Sequence, residues 1–180
     1  MRATCALAGL LALAACGSSG APVAPTLSPR SASSYLLTLD ELRTPGFAVV
    51  EAAHSVSAAC PAATERYFRA VPDLATANGP VDVRTTVLRC DTVAAASTAY
   101  ATVTRQTDAV SGEVAESAGA LGDVAHADEL HTSGQGVGLA EVTLTWRTAN
   151  LVSTLIVRER DTGGGLADAL ILAHQQSAHF

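Results

Sequence analysis

Apolar and polar positions alternate most strictly late in the chain. Glu141-Val142-Thr143-Leu144-Thr145-Trp146-Arg147 puts Val142, Leu144 and Trp146 on one face, the period-two pattern of a half-buried strand. After Thr148-Ala149-Asn150, residues 151–158 are rich in Val, Ile and Leu on both faces. The two runs predict an antiparallel hairpin whose second strand is the more central. Residues 81–89, with Val81, Val83 and Val87 facing one way, predict another strand, and 47–51 a shorter one. Helical spacing marks Val93, Ala96, Tyr100 and Val103, so a helix capped by Asp91 is expected to run to about Thr107. Leu166, Ala169, Leu170 and Ala173 predict a terminal helix after Gly163-Gly164-Gly165. A weaker helix is expected over 57–67, with Pro61 near its first turn. Together these elements predict one α+β domain, an antiparallel sheet with helices packed on one face.

The first thirty residues follow a different pattern. Arg2 precedes an apolar run over 6–15, too short to cross a bilayer, which takes ~20 helical residues, but suited to a secretory leader. The run ends Leu13-Ala14-Ala15-Cys16, which looks like a bacterial lipobox. Small residues would let a peptidase reach the bond before Cys16, and the thiol would accept the lipid. Acyl chains there, palmitate among them, would anchor the protein firmly. Gly17, Ser18, Ser19 and Gly20, then Pro22, Pro25 and Pro29, resist regular structure and bury little. The expected organisation is a signal peptide over 1–15, a lipidated tether over 16–34 and the α+β domain over 35–180. The expected location is the cell membrane, lipid-anchored and facing the extracytoplasmic side.

That address gives the remaining cysteines a meaning. With Cys5 in the leader and Cys16 lipidated, Cys60 and Cys90 are left, and a pair outside the cytoplasm reads first as a disulfide. Two buried thiols or a redox pair are the alternatives, but no C-x-x-C spacing supports redox work. All eleven basic residues are arginine against seventeen acids; removing Arg2 with the leader leaves a charge of 10 − 17 = −7. An acidic chain without a basic cluster repels phosphate backbones, which argues against nucleic-acid partners.

Candidate chemistry is sparse. His126-Ala127-Asp128-Glu129-Leu130-His131 is the densest polar cluster. Its histidines are five apart, off a common helical face and on opposite faces of a strand, so a solvated loop is expected rather than a metal site. Gly134-Gln135-Gly136-Val137-Gly138 precedes a strand, the wrong order for a phosphate loop. Gly163 to Gly165 does follow a strand and open a helix, but without the lysine and hydroxyl of a P-loop it reads as a hinge. No G-x-S-x-G elbow is present, and the adjacent acids Asp40-Glu41 and Asp128-Glu129 diverge. No catalytic residue, metal or cofactor is assigned.

Leu36-Leu37-Thr38-Leu39-Asp40-Glu41-Leu42 followed by Pro45-Gly46-Phe47 resembles the opening of actinobacterial secreted lipoproteins. Ala120-Leu121-Gly122-Asp123-Val124, the run from Val142 to Arg147, Asn150-Leu151-Val152 and the closing Leu/Ala-rich helix continue the resemblance. These features are similar to lipid-anchored sensor-like domains, including the PknH-like extracellular sensor domain of receptor kinases. The resemblance implies an α+β sheet with packed helices, disulfide-stapled around a ligand cleft. This chain carries one candidate disulfide where that family has two, and no kinase domain. The expected function is a lipid-anchored, non-catalytic ligand-binding or sensor-like module; an envelope hydrolase or a protein-binding scaffold are the alternatives. Its partners would be the membrane, through the lipid on Cys16, and a small-molecule or envelope ligand. The cleft is expected between the sheet and a loop over 120–138, with Trp146, Arg147, His126 and His131 as contacts.

Overall fold

The computed structural model describes residues 30–42, 46–55, 59–70, 79–110, 113–134 and 137–180. The leader, Cys16 and most of the expected tether lie outside them. The strands are β1 (Phe47–Ser55), β2 (Ala62–Ala70), β3 (Pro80–Arg89), β4 (Glu113–Glu116), β5 (Val124–Gly134), β6 (Val137–Thr148) and β7 (Leu151–Arg160). The helices are α1 (Val93–Thr107) and α2 (Leu166–Ser177). All strands join one antiparallel sheet in the order β1-β2-β3-β7-β6-β5-β4, so the expected α+β class holds and β7 takes the centre. β7 is covered along one side and, at Val152, on the other as well, which fits the apolar residues at both parities of 151–158.

Each face carries its own core. On one, Phe68, Val83, Val142, Leu144, Trp146, Leu155 and Val157 pack beneath Ala169, Leu172 and Ala173 of α2. Tyr35 and Leu36, at the end of the 3₁₀ turn Ala32–Tyr35, extend this face over Val87 and Leu151. On the other, Ala96 and Ala99 of α1 pack on Ala63, Leu88 and Val152 beside Cys60 and Cys90. The helices expected on one face are therefore divided: α2 and the N-terminal turn share a face, and α1 covers part of the opposite one. The cause is the parity of β7, which presents Leu155 and Val157 to α2 and Val152 to α1.

Cys60 and Cys90 are bonded, with Cα atoms 4.6 Å apart, just beyond the Ala62↔Arg89 end of the β2–β3 pair. Closing a loop of 30 residues contributes about 3–4 kcal/mol in the chain-entropy model.

Four further expectations need correcting. The helix expected over 57–67 is β2 from Ala62 onward: Ala63, Glu65 and Tyr67 alternate with Arg66, Phe68 and Ala70, and pairing on both sides overrides weak helical spacing. The loop expected over 120–138 is mostly β5, paired with β6 from Val124↔Arg147 to Gly134↔Val137. Thr92, not Asp91, caps α1, its Oγ1 accepting from the Ala95 N–H at 3.0 Å. Residues 32–34, placed in the tether, belong to the first 3₁₀ turn, where Ala32 is buried.

Candidate functional site

The four residues expected to contact a ligand do not meet. Val124↔Arg147, Ala125↔Trp146 and His126↔Thr145 are partners on β5 and β6, so parity sends Trp146 to the α2 face and His126 and Arg147 to the α1 face. Trp146 is fully buried, packed at 6.4 Å from the Phe180 ring. The Arg147 guanidinium donates to Asp123 Oδ2 at 3.0 Å and to the Ala149 carbonyl at 3.1 Å, clasping the β6–β7 turn. His131 is exposed on the α2 face, its Nδ1 2.5 Å from Asp161 Oδ1. His126 lies near the C-terminal end of α1, with its Nε2 2.9 Å from Asp108 Oδ1 and 2.9 Å from Asp128 Oδ2. Tyr100 of α1 belongs to the same surroundings: burial raises its phenol, Arg147 lowers it, and Asp108 and Asp128 raise it further.

Gly163 to Gly165 resolves differently from a hinge. β7 ends by carrying Glu159, wholly buried, back beneath the start of α2. Its carboxylate accepts from the Gly165 N–H and from the backbone at Gly164. A Cβ on Gly163 would lie 2.7 Å from the Glu159 carboxyl carbon, and one on Gly164 would lie 2.6 Å from that of Asp168. Only side chains without a Cβ leave room for these acids. The first turn of α2, where phosphate loops hold an external anion, is occupied by the protein's own carboxylate.

The Glu159 carboxyl titrates unusually. Burial first, then the charge and hydrogen bond of Asp168 and the charge of Glu129, push the Glu159 carboxyl up to about 7, against the opposing Gly164 bond. Glu159 Oε2 has no donor among the described residues, so the proton that Glu159 retains supplies its bond to Asp168.

Beside this acidic end lies a pocket of about 180 Å³ with Leu42, Phe47, Pro80, Ile171 and Leu172 as apolar walls and Asp168 as a charged one. It accommodates a group the size of one ring or a short alkyl segment, since an engineered cavity of roughly 150 Å³ takes benzene. Ile171 is exposed on α2, so the mouth is apolar too. No residue of the pocket belongs to the expected set. The sequence signal was Ile171, an apolar residue beside the expected helix face, close to the acid of Asp168.

No family model matches the chain, and no curated protein does. One solved structure does align. It is LpqN, described as involved in cell envelope biogenesis of Mycobacterium tuberculosis. The alignment covers 66% of this chain and 68% of LpqN, with 15% identity and a TM-score of 0.27. A superposition at that score carries neither fold nor function across. No helix among the described residues is long and apolar enough to cross a membrane.

Proposed function

We propose that this protein is a lipid-anchored module on the extracytoplasmic side of the cell membrane that binds a small ligand and does no chemistry on it. The pocket on the flank of α2 carries this reading: apolar on most sides, with a single carboxylate, Asp168, among its walls. Such a site suits a compact apolar group bearing an amine or hydroxyl, and repels anions. The Cys60–Cys90 bond fits the oxidising compartment that the leader and Cys16 imply. The histidine contacts favour binding over hydrolysis. Among the described residues, His126, His131 and His179 each hold a carboxylate, as a triad histidine does on one nitrogen, and His54 holds a carbonyl, but no ring nitrogen holds the serine or threonine hydroxyl that a triad also needs.

Two measurements test the reading. Fatty-acid labelling should mark the wild type and not Cys16→Ala; equal labelling of both refutes the anchor. A screen of small amphipathic amines by ligand-observed NMR should find binders that Ile171→Arg loses, because the new side chain fills the pocket mouth. Binders unaffected by Ile171→Arg would place the site elsewhere.

A further inference from the structure

We infer that Asp108, His126 and Asp128 form a binding site for a divalent transition-metal ion. His126 and Asp128 are two apart on β5 and so project from one face, while Asp108 is the residue that ends α1 above them. The three side chains offer one imidazole nitrogen and two carboxylate oxygens, all within 4.8 Å of one another.

A proton alone does not account for this arrangement. His126 Nε2 lies 2.9 Å from Asp108 Oδ1 and 2.9 Å from Asp128 Oδ2. A ring nitrogen carries at most one hydrogen, so it can serve only one of the two oxygens, and the hydrogen bond it can make goes to Asp108. Asp128 Oδ2 is left facing the nitrogen without a hydrogen bond, although Asp128 is only 2% exposed. A buried carboxylate oxygen with no donor loses its hydration and gains nothing in exchange. A cation bound between the three atoms satisfies both acids at once, and the neutral imidazole becomes its nitrogen ligand.

The spacing suits such an ion. Ligand atoms on adjacent corners of an octahedron with bonds of about 2.05 Å stand about 2.9 Å apart, the separation of the His126 nitrogen from each of the two carboxylate oxygens. Mixed imidazole and carboxylate donors suit Zn²⁺ or Mn²⁺ rather than Ca²⁺. Two carboxylates also balance a double positive charge. Asp108 is half exposed and His126 partly so, which leaves the outer coordination positions to water. The sequence concealed this set: its two histidines are five apart on opposite faces, and the third ligand comes from 18 residues upstream of His126.

The test is calorimetric titration of the full chain in detergent with ZnCl₂, after alkylation to block any free Cys5 and Cys16 thiols. One equivalent should bind, and both Asp108→Asn and His126→Ala should weaken it by at least about tenfold. His54→Ala, in the separate group Glu51, His54 and Glu65, should leave binding unchanged. Asp108 is at the surface, so Asp108→Asn reports even where His126→Ala fails to fold. No binding by the wild type, or binding that only His54→Ala removes, overturns the site. Equal affinity in the wild type and Asp108→Asn overturns it as well.

Discussion

Replacing Glu159 with glutamine should change how stability depends on pH, and the size follows from its surroundings. An unfolded glutamate releases its proton near 4.5, whereas the folded carboxyl, buried against Asp168 and Glu129, holds it up to about 7. Between those values the folded state binds more protons than the unfolded one, so stability falls as pH rises. The slope approaches 1.4 kcal/mol per pH unit, and the accumulated loss by pH 8 is about 3 kcal/mol. Glutamine keeps an oxygen for the Gly165 N–H and offers an amide hydrogen to Asp168, but never ionises. Near pH 4.5 Glu159→Gln should therefore melt close to the wild type. At pH 8 it should melt higher by roughly 6–12 °C, at 2–4 °C per kcal/mol for a domain of this size. Calorimetric melts of both proteins across pH 5–8 provide the check. A difference in melting temperature that stays constant over that range would refute the assignment of the proton to Glu159. A wild type that gains stability toward pH 8 relative to the variant would reverse its sign.

Two further outcomes follow from the fold. Cys60→Ser with Cys90→Ser should lower unfolding free energy by about 2–4 kcal/mol, read by urea titration, and no loss would mean that the bond closes little entropy in the unfolded chain. Gly122→Ala should cost about 2–3 kcal/mol: its φ is +56°, and an added Cβ would fall 2.4 Å from the Arg147 carbonyl oxygen, which accepts from the Asp123 N–H. A thermal melt within a degree of the wild type would show that this turn relaxes freely.

Legibility in the sequence tracked burial. β3, β6, β7, α1 and α2 were readable because each buries a regular apolar set, and the two-faced run of 151–158 already announced the central strand. β2 and β5 were not. β5 places His126 and Asp128 on one face and Glu129 and His131 on the other, so its polar residues conceal the alternation that Ala125 and Ala127 keep. β2 mixes Glu65 and Arg66 with Tyr67 and Phe68, and only its place between β1 and β3 makes it a strand. β4, with four residues at the sheet edge, went unpredicted because it buries too little to leave a pattern. The functional residues divide similarly. Trp146 stood out for its size, which is what a core uses, and Arg147 for its charge, which a turn uses. The pocket around Ile171 and the meeting of Asp108 with His126 depend on contacts between distant segments, and no local pattern carries those.

The bond between Cys60 and Cys90 has a mechanical consequence. With the chain linking β2 to β3 at one end and the sulfurs at the other, these two strands form a covalently closed ring. β1 joins that ring through its hydrogen bonds to β2, two irregularities in which interrupt the ladder, through the packing of Phe47 and Ala53 on the core, and through the short stretch before Cys60. Fraying that starts at β1 meets a closed hoop at β2, where a further step would mean shifting β3 as well, and with it the ladder to β7. A one-residue slip of β2 on β3 would turn Phe68 out of the core and pull against the sulfurs at once. The disulfide thus acts as a firebreak and a register pin, keeping the exposed edge free to loosen while the strands that carry both cores stay in place.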